Sequence, residues 1–359
     1  MVDLSNLGLS IDCTLAPAPP ARLPPGPLGF GKLLTDHVFI AEHTAESGWG
    51  EFAIRPREQV TVDLASGAIQ YGLSIFEGLK AYRTADGRLH LFRPDRHAER
   101  FADSARRLCM PPVEPARLVA AMRALARVEQ DSIPDAERGS LYLRPVLFAS
   151  DEYLGVRPGA HHTMAILGSP VDSYFGQDAR PLRLWAEREL TRAAPGGLGA
   201  AKTGGNYAAS LLAAQRAKQK GFDQVLWLDA VSHRYLEEVG TMNLFVHLKG
   251  RGVLTPPADG TILAGVTRDS CLTLLREWGI PTEERRLTLD EMLEAHARGE
   301  LLEIFGTGTA AVVAPVGEVA WDGGRVEPIG GEIGMRLKNA LTALHRGEAR
   351  DTYGWLTPI

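Results

Sequence analysis

The sequence predicts a mixed α/β protein of two domains, on three observations. Strand-like and helical patterns alternate along nearly the whole chain. Its 359 residues, 45% hydrophobic and 23% charged, suffice for two cored units and are ordinary for a globular protein. One stretch rich in Pro, Gly, Ser and Asp, SPVDSYFGQDARP at 169–181, breaks the alternation and places an interdomain connection at 171–181.

The six prolines between Pro17 and Pro27 exclude a helix or strand interior, so residues 1–29 are expected as an extended arm, with ordered structure from Phe30. Between 30 and 170, VFIAEH (38–43), LKAYR (79–83), RLHLF (88–92), SLYLRPVLF (140–148) and TMAILG (163–168) read as strands, with helical periodicity at about 94–109 and 115–130. These make a smaller α/β domain. From 182 to 359 a larger domain is expected. Its strands are LRLWAE (182–187), QVLWLD (224–229), NLFVHL (243–248) and LLEIF (301–305), and its helices lie near 204–219, 267–277, 288–298 and 331–346.

A net charge of -5 provides no basic footprint for nucleic acid or an anionic membrane surface, so small-molecule chemistry is the default class. No apolar run reaches the ~20 residues that span a bilayer, and MVDLSNLGLS does not lead a basic segment into an apolar one. The three cysteines, Cys13, Cys109 and Cys271, are odd in number and far apart, which fits neither a disulfide framework nor a zinc site. A reducing, cytoplasmic compartment and no bound metal are expected.

The chemistry centres on GGLGAAKTGGNYA (196–208). It comes within one residue of the phosphate-cradling pattern G-x-x-x-x-G-K-[ST], and VLWLD (225–229) imitates the strand that would hold a magnesium ion. The pattern needs glycine just before the lysine so that backbone N–H groups can wrap the phosphates, and Ala201 stands there. The alternative is a lysine that bonds a cofactor covalently. Small neighbours on both sides of Lys202 let a planar group approach the backbone, and Tyr207 lies where a phenol could reach the same ring. A surface lysine opening a helix is the plain reading of the same residues.

Three further segments bear on that choice. LEEVGTMNLF (236–245) puts two carboxylates before a turn into an apolar strand, where a charge makes sense facing a protonated ring nitrogen; two solvated glutamates are the ordinary alternative. ILAGVTRDS (262–270) opens a helix, so the N–H groups of Val266 and Thr267 form an anion seat, or simply begin a helix. FGTGTAAVVAP (305–315) offers alternating hydroxyls and backbone donors, or a tight turn.

With QYGLSIFEGLKAYR (70–83), LFRPDRHAERF (91–101), SLYLRPVL (140–147), KTGGNY (202–207), EVGTMN (238–243), GVTR (265–268) and GTGTA (306–310) in this order, the chain from residue 30 onward resembles the branched-chain amino acid aminotransferases, pyridoxal 5'-phosphate enzymes of fold type IV. The resemblance implies a smaller N-terminal α/β domain and a larger, cofactor-binding pseudo-barrel. It implies that Lys202 forms the internal aldimine and is the catalytic base, that Tyr207 bonds the ring hydroxyl, and that Glu238 pairs with the pyridine nitrogen. Arg100, Val266, Thr267 and Thr309 would hold the phosphate, and Thr241 would be a further cofactor contact. Thr309 and Ala310, with Tyr71 from a neighbouring subunit, would hold the substrate α-carboxylate. Arg144 beside Tyr142 would take the distal carboxylate of glutamate. Phe30, Phe76 and Tyr174, with Leu154 and Val156 from a second subunit, would form the aliphatic pocket, so a homodimer with shared active sites is implied.

The implied reaction is transamination of L-leucine, L-isoleucine and L-valine with 2-oxoglutarate. Another fold type IV enzyme, a D-amino-acid aminotransferase or an aminodeoxychorismate lyase, would share Lys202 and Glu238; Arg144, the EYLGV loop and the long N-terminal region favour the branched-chain reading. Animal members carry a Cys-x-x-Cys pair after the GTGTA-type loop. Here Ala311 and Ala314 stand in its place, so no thiol switch can operate there.

Overall fold

The computed structural model describes residues 4–17, 23–172 and 180–359. Two compact units divide the chain. One comprises Met1–Tyr174 with Ala201–Gly204 and Ala343–Ile359, and the other Phe175–Ala200 with Gly205–Thr342.

The first unit contains β1 (Asp12–Cys13), β2 (His37–Thr44), β3 (Gly48–Trp49), β4 (Ala53–Pro56), α1 (Gly67–Tyr71), β5 (Ser74–Phe76), β6 (Leu79–Arg83), β7 (Leu89–Phe92), α2 (Pro94–Arg107), α3 (Pro115–Val128), β8 (Gly139–Ala149) and β9 (His161–Asp172). The strands run in the order β1-β4-β2-β9-β8-β6-β7, with β3 beside β2 and β5 beside β8. At the centre, β8 and β9 pair antiparallel from Gly139 opposite Asp172 to Ala149 opposite His162, so the hairpin tip is the 150–160 loop. Pro94 begins α2, where a missing N–H costs nothing. The helix buries His97, Ala98, Phe101, Ala102, Ser104 and Ala105, a stripe at the spacing of one helical face. Phe101, Leu118, Leu125, Leu143 and Ile166 lie in one shared core.

The second unit contains β10 (Leu182–Ala186), α4 (Gly204–Gln219), β11 (Gln224–Leu228), β12 (Leu236–Val239), β13 (Met242–Leu248), β14 (Gly252–Thr255), α5 (Val266–Glu277), β15 (Thr282–Glu284), α6 (Leu289–Ala297), β16 (Leu301–Gly308), β17 (Val312–Trp321), β18 (Gly324–Val326) and most of α7 (Ile333–His345). The order β12-β11-β10-β17-β16-β13 closes on itself because β13 also pairs with β12, which makes a pseudo-barrel. Closure removes the free edges that an open sheet leaves. Leu184, Leu226, Leu244, Ile304 and Val319 of its strands share one hydrophobic core with Leu289 and Met292 of α6. Phe245 and Phe305 are directly paired across β13 and β16, and their rings stack at 5.2 Å. The last strand, β19 (Leu356–Pro358), returns to the first sheet and pairs antiparallel with β7.

Structure begins earlier than expected. A 3₁₀ turn spans Ser5–Leu7 and β1 pairs in parallel with β4 through Asp12 and Cys13. Leu7 and Leu28 are buried. The prolines start only at Pro17, so nothing prevents the preceding SNLGLSIDC from adding to a sheet edge. LEEV is also a strand with every residue buried, although its two adjacent glutamates mask the apolar signal of a strand.

Candidate active site

In the first unit, residues around Lys202 lie against β5. The Phe76 N–H donates to the Lys202 carbonyl at 3.0 Å, and the Thr203 hydroxyl donates to the Ser74 carbonyl at 2.8 Å. The Lys202 N–H donates to the Ser104 hydroxyl on α2 at 2.9 Å. Both backbone polar groups of Lys202 are thereby fixed. Its Nζ stands 4.8 Å from the Phe76 ring centroid.

One and two turns before Ser104, α2 carries Arg100 and His97, and both meet Glu77. The Arg100 guanidinium donates Nε to Oε1 at 2.6 Å and Nη2 to Oε2 at 2.9 Å, while His97 Nδ1 lies 2.8 Å from Oε2. Glu77 is fully buried. Burial alone would raise its carboxyl, but the charge of Arg100 and then that of His97 outweigh it and hold the carboxyl well below the usual range. An ionised carboxylate can only accept, so the proton between it and His97 sits on Nδ1.

Four more of the expected residues gather around β8. Arg144 Nη2 donates to the Tyr142 hydroxyl at 3.0 Å, and its guanidinium carbon stands 4.6 Å from the Phe76 ring centroid. The Phe30 and Tyr142 rings meet edge to face at 4.9 Å. Arg144 Nε is buried and has no hydrogen-bond partner among the described residues. Elsewhere in the unit, the Tyr71 hydroxyl, at the end of α1, donates to the Leu154 carbonyl at 2.7 Å. Tyr71, Leu154 and Val156 are 45%, 67% and 86% exposed. Tyr174 lies outside the described residues.

In the second unit, Arg192, Asn206, Tyr207, Ser210, Glu238, Gly240, Thr241 and Leu263 line a small cavity. Glu238 is held on both oxygens: Arg192 Nε lies 2.5 Å from Oε2, and Oε1 accepts from Asn243 Nδ2 and the Leu263 N–H, each at 3.1 Å. Glu237 points to the other face of β12, as strand alternation requires. It accepts from the Thr261 hydroxyl at 2.7 Å, its Oε2 has no partner among the described residues, and burial pushes its carboxyl up. Val266 and Thr267 are the first residues of α5, whose cap residue Gly265 brings no side chain to the helix terminus. Thr309 and Ala310 follow the end of β16, and the buried hydroxyl of Thr307 in that strand has no partner among the described residues.

Sequence reasoning had not singled out Glu77, His97, Ser104, Arg192 or Asn243. Asn243 joins Glu238 to the turn before α5 by donating to both Glu238 and the Leu263 carbonyl. For Glu77, His97 and Ser104 a signal existed, since polar residues recur on the buried face of α2 and beside β6. Arg192 had none, because its partner lies far along the chain.

The sequence profile of the class IV amino-transferases matches residues 74–319. The chain is similar to branched-chain-amino-acid transaminase 1 of Bacillus subtilis (strain 168), at 45% identity over 93% of this chain and 95% of that one. Among solved structures it is similar to the Escherichia coli branched-chain amino acid aminotransferase, with a TM-score of 0.73 and 31% identity over 89% of this chain and 98% of that one. It is also similar to the branched-chain aminotransferase of the thermophilic archaeon Thermoproteus uzoniensis, solved with norvaline, with a TM-score of 0.73 and 25% identity over 89% and 99% of the two chains. The mixed α/β chain with a closed pseudo-barrel has the fold type IV architecture that its sequence predicts. This protein belongs to the class IV aminotransferases and, within them, to the branched-chain-amino-acid aminotransferase family.

Proposed function

We propose that the protein is a pyridoxal 5'-phosphate enzyme that transfers the amino group of L-leucine, L-isoleucine or L-valine to 2-oxoglutarate, by a ping-pong reaction, as a cytoplasmic homodimer. The observation that carries the reading is Arg144. A half-buried arginine with an unsatisfied Nε and no carboxylate partner among the described residues, set against the rings of Phe76 and Tyr142, suits a ligand that brings its own carboxylate. The same rings and Phe30 suit an aliphatic side chain, so one pocket serves leucine and glutamate in turn.

The residues also fit the cofactor. The start of α5, whose cap residue makes no side-chain hydrogen bond, and the buried Thr307 hydroxyl near the end of β16, which has no partner among the described residues, are features that suit a phosphate. Arg100 would add a cation held in place by Glu77. Lys202 would hold the cofactor's aldehyde carbon, Tyr207 its ring hydroxyl, and Thr241 a further edge. Bound there, the cofactor supplies an electron-accepting ring joined to the substrate's Cα.

The chain's own side chains then have separate tasks. Glu238, oriented by Arg192, Asn243 and the Leu263 N–H, keeps a proton on the ring nitrogen. Lys202 Nζ, freed when the substrate amine takes its place, would accept the proton from the substrate's Cα and deliver it to the cofactor's aldehyde carbon on the other side of the amino nitrogen. Thr309 and Ala310 hold the α-carboxylate, with Tyr71 of the partner subunit. Leu154 and Val156 of the partner subunit close the aliphatic pocket against water, with Phe30, Phe76 and Tyr174. The exposed apolar group of Tyr71, Tyr153, Leu154 and Val156 supports a dimer face, and three free cysteines suit a reducing compartment. The holoenzyme with L-leucine and 2-oxoglutarate should give 4-methyl-2-oxopentanoate and L-glutamate in equal amounts. Product from D-alanine but none from L-leucine would contradict the reading.

A further inference from the structure

Gly78, between β5 and β6, lies under the hydroxyl of Tyr142. A Cβ at this position would fall 1.8 Å from Tyr142 Oη, 2.6 Å from Cζ and 3.0 Å from Cε2. Gly78 is not among the residues with positive φ, so its backbone is open to any side chain and the demand for glycine is one of space alone. Tyr142 is buried, with the Phe30 ring packed edge to face against it at 4.9 Å. Its hydroxyl oxygen accepts from Arg144 Nη2 at 3.0 Å, and no acceptor among the described residues takes its proton. Tyr142 O–H and the Arg144 guanidinium therefore present donors side by side, the arrangement a carboxylate accepts.

We propose that Gly78 is a specificity-determining residue: by leaving room for the Tyr142 hydroxyl it keeps the Tyr142–Arg144 pair in place for the distal carboxylate of the amino-group acceptor. The inference rests on the assignment of Arg144 to that carboxylate. A methyl group at residue 78 forces Oη to move by about 1.5 Å to reach ordinary contact distance. That displacement exceeds the tolerance of a hydrogen bond. The aliphatic walls, made of rings and not of donors, have no such bond to lose.

The test compares binding of glutarate and of 4-methylvalerate to the holoenzyme by calorimetry, with single-turnover rates for L-glutamate and L-leucine. Gly78→Ala should weaken glutarate about 10- to 100-fold and slow the glutamate half-reaction similarly, as loss of a charge-assisted hydrogen bond predicts. 4-Methylvalerate and L-leucine, which meet the Tyr142 ring but not its hydroxyl, should be weakened or slowed by a factor several times smaller. Tyr142→Phe should show the same selectivity. Gly78→Ala/Tyr142→Phe keeps a ring carbon 2.6 Å from the added Cβ, so it can bind both ligands more weakly than Tyr142→Phe. It should discriminate no further between glutarate and 4-methylvalerate, because that discrimination is lost with the one hydroxyl.

Equal weakening of both ligands by Gly78→Ala overturns the proposal, as does an additive loss of glutarate selectivity in the double variant. If Gly78→Ala does not fold, the double variant is compared with Tyr142→Phe instead, and its failure to fold as well assigns the glycine to folding and overturns the proposal. Arg144→Gln separates the two levels. Selective glutarate loss in Arg144→Gln but not in Gly78→Ala overturns the role of Gly78 alone, whereas no selective loss in either removes the Arg144 assignment beneath it.

Discussion

Arg192 and Glu238 form a buried ion pair, with Nε 2.5 Å from Oε2 and side chains 8% and 3% exposed. The adjacent Glu237 is equally enclosed but meets only a hydroxyl on its other face. The two glutamates should therefore respond differently to one substitution. Glu238→Gln leaves the Arg192 charge uncompensated, which costs about 3 kcal/mol of stability, and it removes the charge proposed to face the cofactor ring. Turnover should fall by about 100-fold or more. Glu237→Gln should change turnover less than about tenfold, since a neutral group there already suits the surroundings. Steady-state kinetics and urea unfolding of both variants check this, and the reverse order would assign the wrong carboxylate.

Glu77 makes a second, acid-sensitive prediction. Its folded carboxyl is held well below its unfolded value near 4.3. The stability it contributes is therefore present above that unfolded value and is lost as pH falls below it towards the folded one. Glu77→Gln should cost about 3–5 kcal/mol at neutral pH, because Arg100 and His97 are left beside an uncharged group. The gap between wild type and variant should narrow between about pH 4.5 and pH 3. Urea titrations across that range measure it, and a gap independent of pH would show that Glu77 is not ionised in the fold.

His162, paired across the sheet with His43 at the base of the 150–160 hairpin, behaves in the opposite sense. Both its ring nitrogens are buried without a partner among the described residues, and burial first, then the His43 charge, lowers it to about 4. The unfolded ring takes a proton near pH 6.5 that the folded ring refuses. Stability is thus complete above about pH 6.5 and declines as pH falls towards about 4, by up to ~3 kcal/mol. His162→Gln should flatten that part of the stability curve. A variant curve parallel to the wild type between pH 6.5 and 4.5 would remove His162 as its source.

Much of this arrangement was legible because it follows local rules. The helix at 204–219 and the strand at 79–83 have the expected limits, since periodicity and the bounding glycines and prolines are properties of the segment itself. The helix start at Val266 was readable for the same reason, since it follows a turn. What escaped depends on partners distant in sequence. LEEV is a strand because a barrel closes around it, and β1 exists because β4 has an open edge. Arg192 and Glu77 matter through Glu238 and Arg100, which only the fold sets beside them.

The central claim is that Lys202 carries the cofactor and moves the proton. The most direct measurement is the visible spectrum of the purified protein supplied with pyridoxal 5'-phosphate, recorded before and after L-leucine, followed by borohydride reduction and peptide mapping. A yellow protein that bleaches with L-leucine, a pyridoxyl group fixed on Lys202 when reduction precedes the amino acid, and no turnover in Lys202→Ala are expected. A colourless protein under these conditions, or a label on another lysine with normal turnover in Lys202→Ala, would contradict it.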